Sequence, residues 1–123
     1  MVDGERNLAW RAASRAMAEL GCGPVGVTLD KEIAVAAGLG GGSADAAAAL
    51  AAMACGAGAE IAAVASLAPG LGSDVPFCLV GGAADVSGAG EIVEPVAVVD
   101  DFSLALVVPP IEVATAAVYA AWD

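Results

Sequence analysis

The sequence predicts a domain that mixes helices with strands, and three observations carry that expectation. An alternating run, Val25, Val27 and Leu29 against Gly26, Thr28 and Asp30, has the period of a half-buried strand. It continues through Ile33 and Val35 into Gly38-Leu39-Gly40-Gly41-Gly42-Ser43-Ala44-Asp45, where four glycines fall in five positions. Ala46 to Ala52, with Leu50, follows at once, and alanine loses no side-chain entropy on becoming helical. The local order is therefore strand, glycine loop, helix.

The remaining elements follow from spacing and punctuation. Gly4 to Leu20 reads as a helix capped by Asp3, with Leu8, Ala12, Ala13, Ala16 and Leu20 on one face and Gly21 as its left-handed stop. Its arginines, Arg6, Arg11 and Arg15, read as a solvated face. Gly23-Pro24 then breaks the chain. The central helix is expected from Ser43 to about Cys55, ending at Gly56 and Gly58, and a second, antiparallel helix from Ala59 to Leu67, ending at Pro69-Gly70. Cys78 to Val80 and Ala83 to Val86 read as extended runs around a tight turn at Gly81-Gly82. Ile92 to Val99 and Phe102 to Val108 read as two more strands, the second apolar enough to be central in a sheet. After Pro109-Pro110, a last helix starts near Thr115, a cap residue, and carries Val118, Tyr119 and Trp122 to an end in mid-helix at Asp123.

Composition narrows the function classes. The 123 residues are 59% hydrophobic and 15% charged, which excludes disorder as the default and suits one domain or part of a larger one. Much of that apolar content is alanine, so each Leu, Ile and Val carries more of the core than usual. The net charge is −11, and the four basic residues, Arg6, Arg11, Arg15 and Lys31, all precede Glu32. Nucleic-acid binding, which depends on Lys and Arg meeting phosphates, is excluded as a partner class. With no histidine, Ser-His-Asp and Cys-His mechanisms are excluded too, and general-base work falls to a carboxylate. Cys22, Cys55 and Cys78 form no disulfide or zinc pattern. No stretch reads as a secretory signal or a membrane span, so a soluble, cytoplasmic chain is expected.

The glycine loop is the candidate binding element. Glycines leave no Cβ between amide N–H groups and a ligand, and the helix that follows adds unsatisfied donors and the positive end of its dipole. The loop thus reads as an oxyanion cradle that relies on main-chain donors, the helix end, a metal ion or Lys31. A P-loop is excluded, because no lysine precedes Ser43. A dinucleotide fingerprint is matched only in part: Gly38 and Gly40 fit, Ser43 stands at the third glycine, and Glu60 lies near the acid position. A plain glycine-rich connector is the remaining reading. Ser43 and Asp45 serve either as helix caps or, for Ser43, as a hydroxyl donor to a phosphate oxygen. Asp74, in an apolar setting before Val75-Pro76-Phe77, is either a partly desolvated base or the cap of a helix that carries Pro76 in its first turn.

Two of these segments also carry a family likeness. Ala37 to Ala47, preceded by Lys31-Glu32-Ile33, resembles the glycine-rich ATP loop of the GHMP small-molecule kinases. Leu71-Gly72-Ser73-Asp74-Val75-Pro76-Phe77 resembles that family's Leu-Gly-Ala-Asp-Val-Pro-Phe segment, whose aspartate is its catalytic base. Asn7-Leu8, Gly88 to Glu94, and Thr115 with Val118-Tyr119 are similar to further landmarks in the same order.

The resemblance implies an α+β class: a GHMP kinase N-terminal nucleotide-binding domain over residues 1–108, incomplete, with a left-handed β-α-β unit. Residues 109–123 would be a linker and the first helix of a second domain. It also implies transfer of the ATP γ-phosphoryl group to a hydroxyl of a diphosphocytidyl sugar alcohol in non-mevalonate isoprenoid (terpenoid) biosynthesis, with Mg²⁺ on the nucleotide. By that likeness Asp74 accepts the hydroxyl proton, and Ala34, Val35, Ala36, Ala37, Gly38, Leu39, Gly40, Gly41, Gly42, Ser43 and Ala44 wrap the ATP phosphates.

The chain departs from the family where Ala34 stands in place of a proline and where nothing matches the opening Pro-Ala-Lys-Leu-Asn strand. A portion of a longer kinase is therefore expected, with self-association through uncovered strand edges. The competing expectations are a non-catalytic remnant that binds an anion or a partner, and a dinucleotide binder.

Overall fold

Asn7 organises the start of the described chain. The computed structural model describes residues 4–33, 37–98, 102–107 and 114–122. After a 3-10 turn at Gly4–Arg6, the Asn7 side-chain oxygen accepts hydrogen bonds from the amides of Ala9 at 2.9 Å and Trp10 at 3.3 Å. These bonds satisfy two of the donors that a helix leaves free at its start, and helix α1 runs Leu8–Leu20. The expected helix is therefore shorter at its front, with Asn7 as its cap; Asp3 lies outside the described residues. Gly21, at φ 64°, closes α1 as expected, its amide bonding to the Met17 carbonyl.

Helix α2, Gly41–Gly56, packs along α1. Ala9, Ala12, Ala13 and Ala16 of α1 are buried, as are Ala46, Ala47, Leu50 and Ala54 of α2. Small side chains on both surfaces draw helix axes toward the short end of the usual separation of roughly 8–10 Å. Two short helices complete this cluster: α3, Ala62–Ala65, contributes Val64, and α4, Val75–Val80, contributes Val75, with Ala68 and Leu71 between them. Leu50, Val64 and Val75 are its largest fully buried side chains.

The strands form one antiparallel hairpin, β1 (Ala84–Ser87) with β2 (Ile92–Pro95), in which Ala84 faces Pro95 and Ser87 faces Ile92. Helix α5 spans Thr115–Trp122, as its sequence predicts. No helix among the described residues is long and apolar enough to cross a membrane.

Five expectations are corrected. Residues 25–29 form no strand, because no described segment offers them a ladder; they run beside α1 and α2 and line a cleft of about 410 Å³ with Ala9, Ala13 and Met53. Residues 102–107 form no central strand either, and Leu104 and Val107 are 86% and 87% exposed. Cys78 to Val80 is helical, since Pro76 in the first turn of α4 starts a helix that the run of apolar residues conceals. The hairpin turn accordingly lies at Gly88 to Glu91, while Gly81 and Gly82, at φ 73° and 72°, lead out of α4. The helix expected over 59–67 shrinks to α3, because most of that segment closes i to i+3 bonds, such as Ala63 to Glu60 and Leu67 to Val64. Val35, Val99, Val108 to Pro110 and the boundary drawn after residue 108 lie outside the described residues.

Candidate functional site

The first turn of α2 is a row of main-chain donors without a partner among the described residues. Gly38 and Gly40 adopt φ 71° and 68°, a left-handed backbone that glycine enters without steric cost. Gly40 occupies the cap position and offers no side chain to the helix start. The first helical bond is donated by the Ala44 amide to the Gly40 carbonyl, at 2.9 Å. The amides of Gly41, Gly42 and Ser43 precede it and have no acceptor within the helix. Among the described residues they donate to nothing else. Apolar side chains back this turn: a β-carbon on Gly41 would meet Ile33 at 3.1 Å, and one on Gly42 would meet Leu8 at 3.6 Å.

The capping roles considered for Ser43 and Asp45 are corrected, since α2 starts at Gly41 and no side chain caps it. Ser43 is the third helical residue. Asp45, half-buried, forms an ion pair instead, with its Oδ2 2.5 Å from Lys31 Nζ. The pair holds the chain's single lysine beside the loop, at the edge of a hollow of about 200 Å³ lined by Asp30 to Ile33 and Asp45.

The second segment lies against the first. A β-carbon on Gly72 would stand 3.9 Å from Ser43 Oγ, so the turn that carries Asp74 adjoins the open end of α2. Buried Val75 anchors it, with α4 packed on α2. Asp74 holds the position before α4 but makes no side-chain cap bond. Its Oδ1 accepts from Ser73 Oγ at 3.2 Å, and its carbonyl accepts from the Cys78 amide at 3.0 Å. The expected partial desolvation is absent, because Asp74 is exposed. Burial pushes the Cys78 thiol up from its ordinary value of 9.0, and the Asp74 carboxylate adds to that shift.

The described part of the predicted loop, Ala37 to Ala44, and Asp74 thus share one end of α2, while Ala34, Val35 and Ala36 lie outside the described residues. Among the described residues no three acidic, cysteine or histidine side chains cluster to hold a metal ion. Gly90 falls within the Gly88 to Glu94 landmark, to which the sequence assigned no role. It is buried in the hairpin turn with its backbone against Ser73.

Comparison with known proteins gives this arrangement a lineage. Residues 7–82 match the family described as GHMP kinases N terminal domain. The chain is 45% identical to a 4-diphosphocytidyl-2-C-methyl-D-erythritol kinase of Moorella thermoacetica, over 98% of this chain and 43% of that protein. Kinases of the same name from Pelotomaculum thermopropionicum and a Synechococcus strain are 48% and 46% identical, over 97% and 85% of this chain and 42% and 35% of theirs. The chain therefore spans less than half the length of these relatives. No solved structure gives a significant match. With the glycine-rich start of α2 and the aspartate turn both inside the matched residues, the chain belongs to the GHMP kinases.

Proposed function

We propose that this chain is the nucleotide-binding part of a kinase that phosphorylates the C2 hydroxyl of 4-diphosphocytidyl-2-C-methyl-D-erythritol at the expense of ATP. The observation that carries this reading is the set of amides at Gly41, Gly42 and Ser43, without an acceptor among the described residues, beside the Asp74 turn. Ala34 to Ala44 wrap the phosphates, and the positive end of the α2 dipole favours their charge. Magnesium arrives as part of the nucleotide substrate, since the family's chemistry needs charge neutralisation on the phosphates. The alcohol oxygen forms a bond to the γ-phosphorus as the bond to ADP breaks, and the hydroxyl proton passes to the Asp74 carboxylate. An exposed carboxylate, open to an incoming hydroxyl, suits that role. Three free cysteines and the homology to metabolic kinases support a reducing, cytoplasmic setting.

Isothermal titration of the chain with MgATP tests the nucleotide site, and one bound nucleotide per chain is expected. No heat at millimolar nucleotide would sink it. In the full-length enzyme, Asp74→Asn should lower kcat by about a hundredfold or more with little change in nucleotide affinity. Equal loss of both would make Asp74 structural.

A further inference from the structure

The turn between β1 and β2 belongs to the family likeness, yet the proposed chemistry leaves it without a task. Two bonds shape it: the Gly90 amide donates to the Ser87 carbonyl at 3.2 Å, and the Ala89 amide donates to the Glu91 carboxylate at 2.7 Å. Glu91 folds back over Gly88, where a β-carbon would overlap the carboxylate. On the other side of the turn, Gly90 is buried at φ 103°. A β-carbon on Gly90 would lie closer than 3.0 Å to the Cα, carbonyl carbon and carbonyl oxygen of Ser73. Main chain thus meets main chain one residue before Asp74, with no side chain between.

We infer that Gly90 is a positioning residue for Asp74. The inference rests on the reading of Asp74 as proton acceptor. Val75, fully buried, secures α4 to the core from the other side, so the Gly90 contact acts on the exposed turn before it. It fixes the Ser73–Asp74 peptide, whose neighbours are held by a long Gly72-to-Ala68 bond of 3.4 Å, a Val75-to-Gly72 bond of 3.1 Å and a Cys78-to-Asp74 bond of 3.0 Å, none of which engages that peptide itself among the described residues. The Asp74 carboxylate extends from that peptide and takes a bond from Ser73 Oγ. A shift of Ser73 therefore moves the carboxylate relative to the open end of α2, and displacement of a reacting group by tenths of an ångström slows the chemical step more than binding.

The test is a double-mutant cycle in the full-length enzyme with Gly90→Ala and Asp74→Asn. Gly90→Ala should lower kcat by about tenfold or more, with KM for MgATP and the number of nucleotides bound per chain within about twofold of the parent. Added to Asp74→Asn, it should change the residual rate by less than about twofold, because the group it positions is gone. An unchanged kcat, a parallel fall of kcat and bound nucleotide, or an equal further loss in the Asp74→Asn background overturns the inference. An active Asp74→Asn enzyme overturns the proton-acceptor reading itself, independently of Gly90. If Gly90→Ala does not fold, Glu91→Ala carries the same cycle, since it frees the Ala89 amide at an exposed site. Loss of kcat by about threefold or more, absent in the Asp74→Asn background, supports the inference, and parent-like kcat overturns it.

Discussion

Asp74 and Cys78 stand four residues apart, which brings them onto one side of α4, and the thiol registers the carboxylate. Burial is the larger cause of the raised Cys78 value, and Asp74 the smaller. Because the folded thiol holds its proton more tightly than the unfolded one, its contribution to stability is full below pH 9.0 and is lost as pH rises through the folded value. Reactivity is the sharper readout, since the thiolate is the nucleophile. At pH 8, iodoacetamide followed by peptide mass mapping should modify exposed Cys55 well before Cys78. Asp74→Asn should then accelerate Cys78, because a repelling negative charge has gone. An unchanged Cys78 rate would mean that the carboxylate points away from the thiol.

At the scale of elements, the contact of α1 with α2 is built largely from alanine, and Leu50 supplies much of its bulk. Leu50 is fully buried, and truncating such a side chain costs about 2–5 kcal/mol, the cavity included. Leu50→Ala should therefore lower the thermal midpoint by roughly 10 °C or more, measured by circular dichroism at 222 nm. Leu39→Ala, at a 42% exposed loop position, should leave it nearly unchanged. The helices that pack here were legible because alanine spacing and glycine stops are local signals. Which cap starts α1 was less legible, since Asp and Asn are both good caps and the choice shows only in the bonds that Asn7 takes from the first free amides. Strand readings at 25–29 and 102–107 failed for another reason: alternation marks a segment that can join a sheet, and a ladder partner decides whether it does. The site follows the same division. Its glycine loop and its aspartate each announce themselves, but the approach of Gly72 to Ser43 and of Gly90 to Ser73 depends on how α4 and the hairpin pack.

At the scale of the whole molecule, two opposing features decide how the chain behaves in solution. Large apolar side chains stand in solvent at Leu104, Leu106 and Val107, and Trp122 is 88% exposed, an arrangement that marks association surfaces in soluble proteins. Against this stands a net charge of −11, with positive side chains confined to residues 6–31, so that copies of the chain repel one another. Salt separates the two, because it screens repulsion over roughly 30 Å at 0.01 M but only about 3 Å at 1 M, while burial of apolar surface is not weakened by it. The isolated 123-residue chain should therefore be largely monomeric at low ionic strength and associate as sodium chloride is raised, as followed by size-exclusion chromatography with light scattering. Replacing Leu104 and Val107 together by Glu removes exposed apolar surface and adds charge, and should keep the chain monomeric at high salt. If the parent chain stays monomeric throughout the series, the exposed run at 102–107 is not an association surface; if the double variant still associates, the contact lies elsewhere, with the face carrying Trp122 as the next candidate.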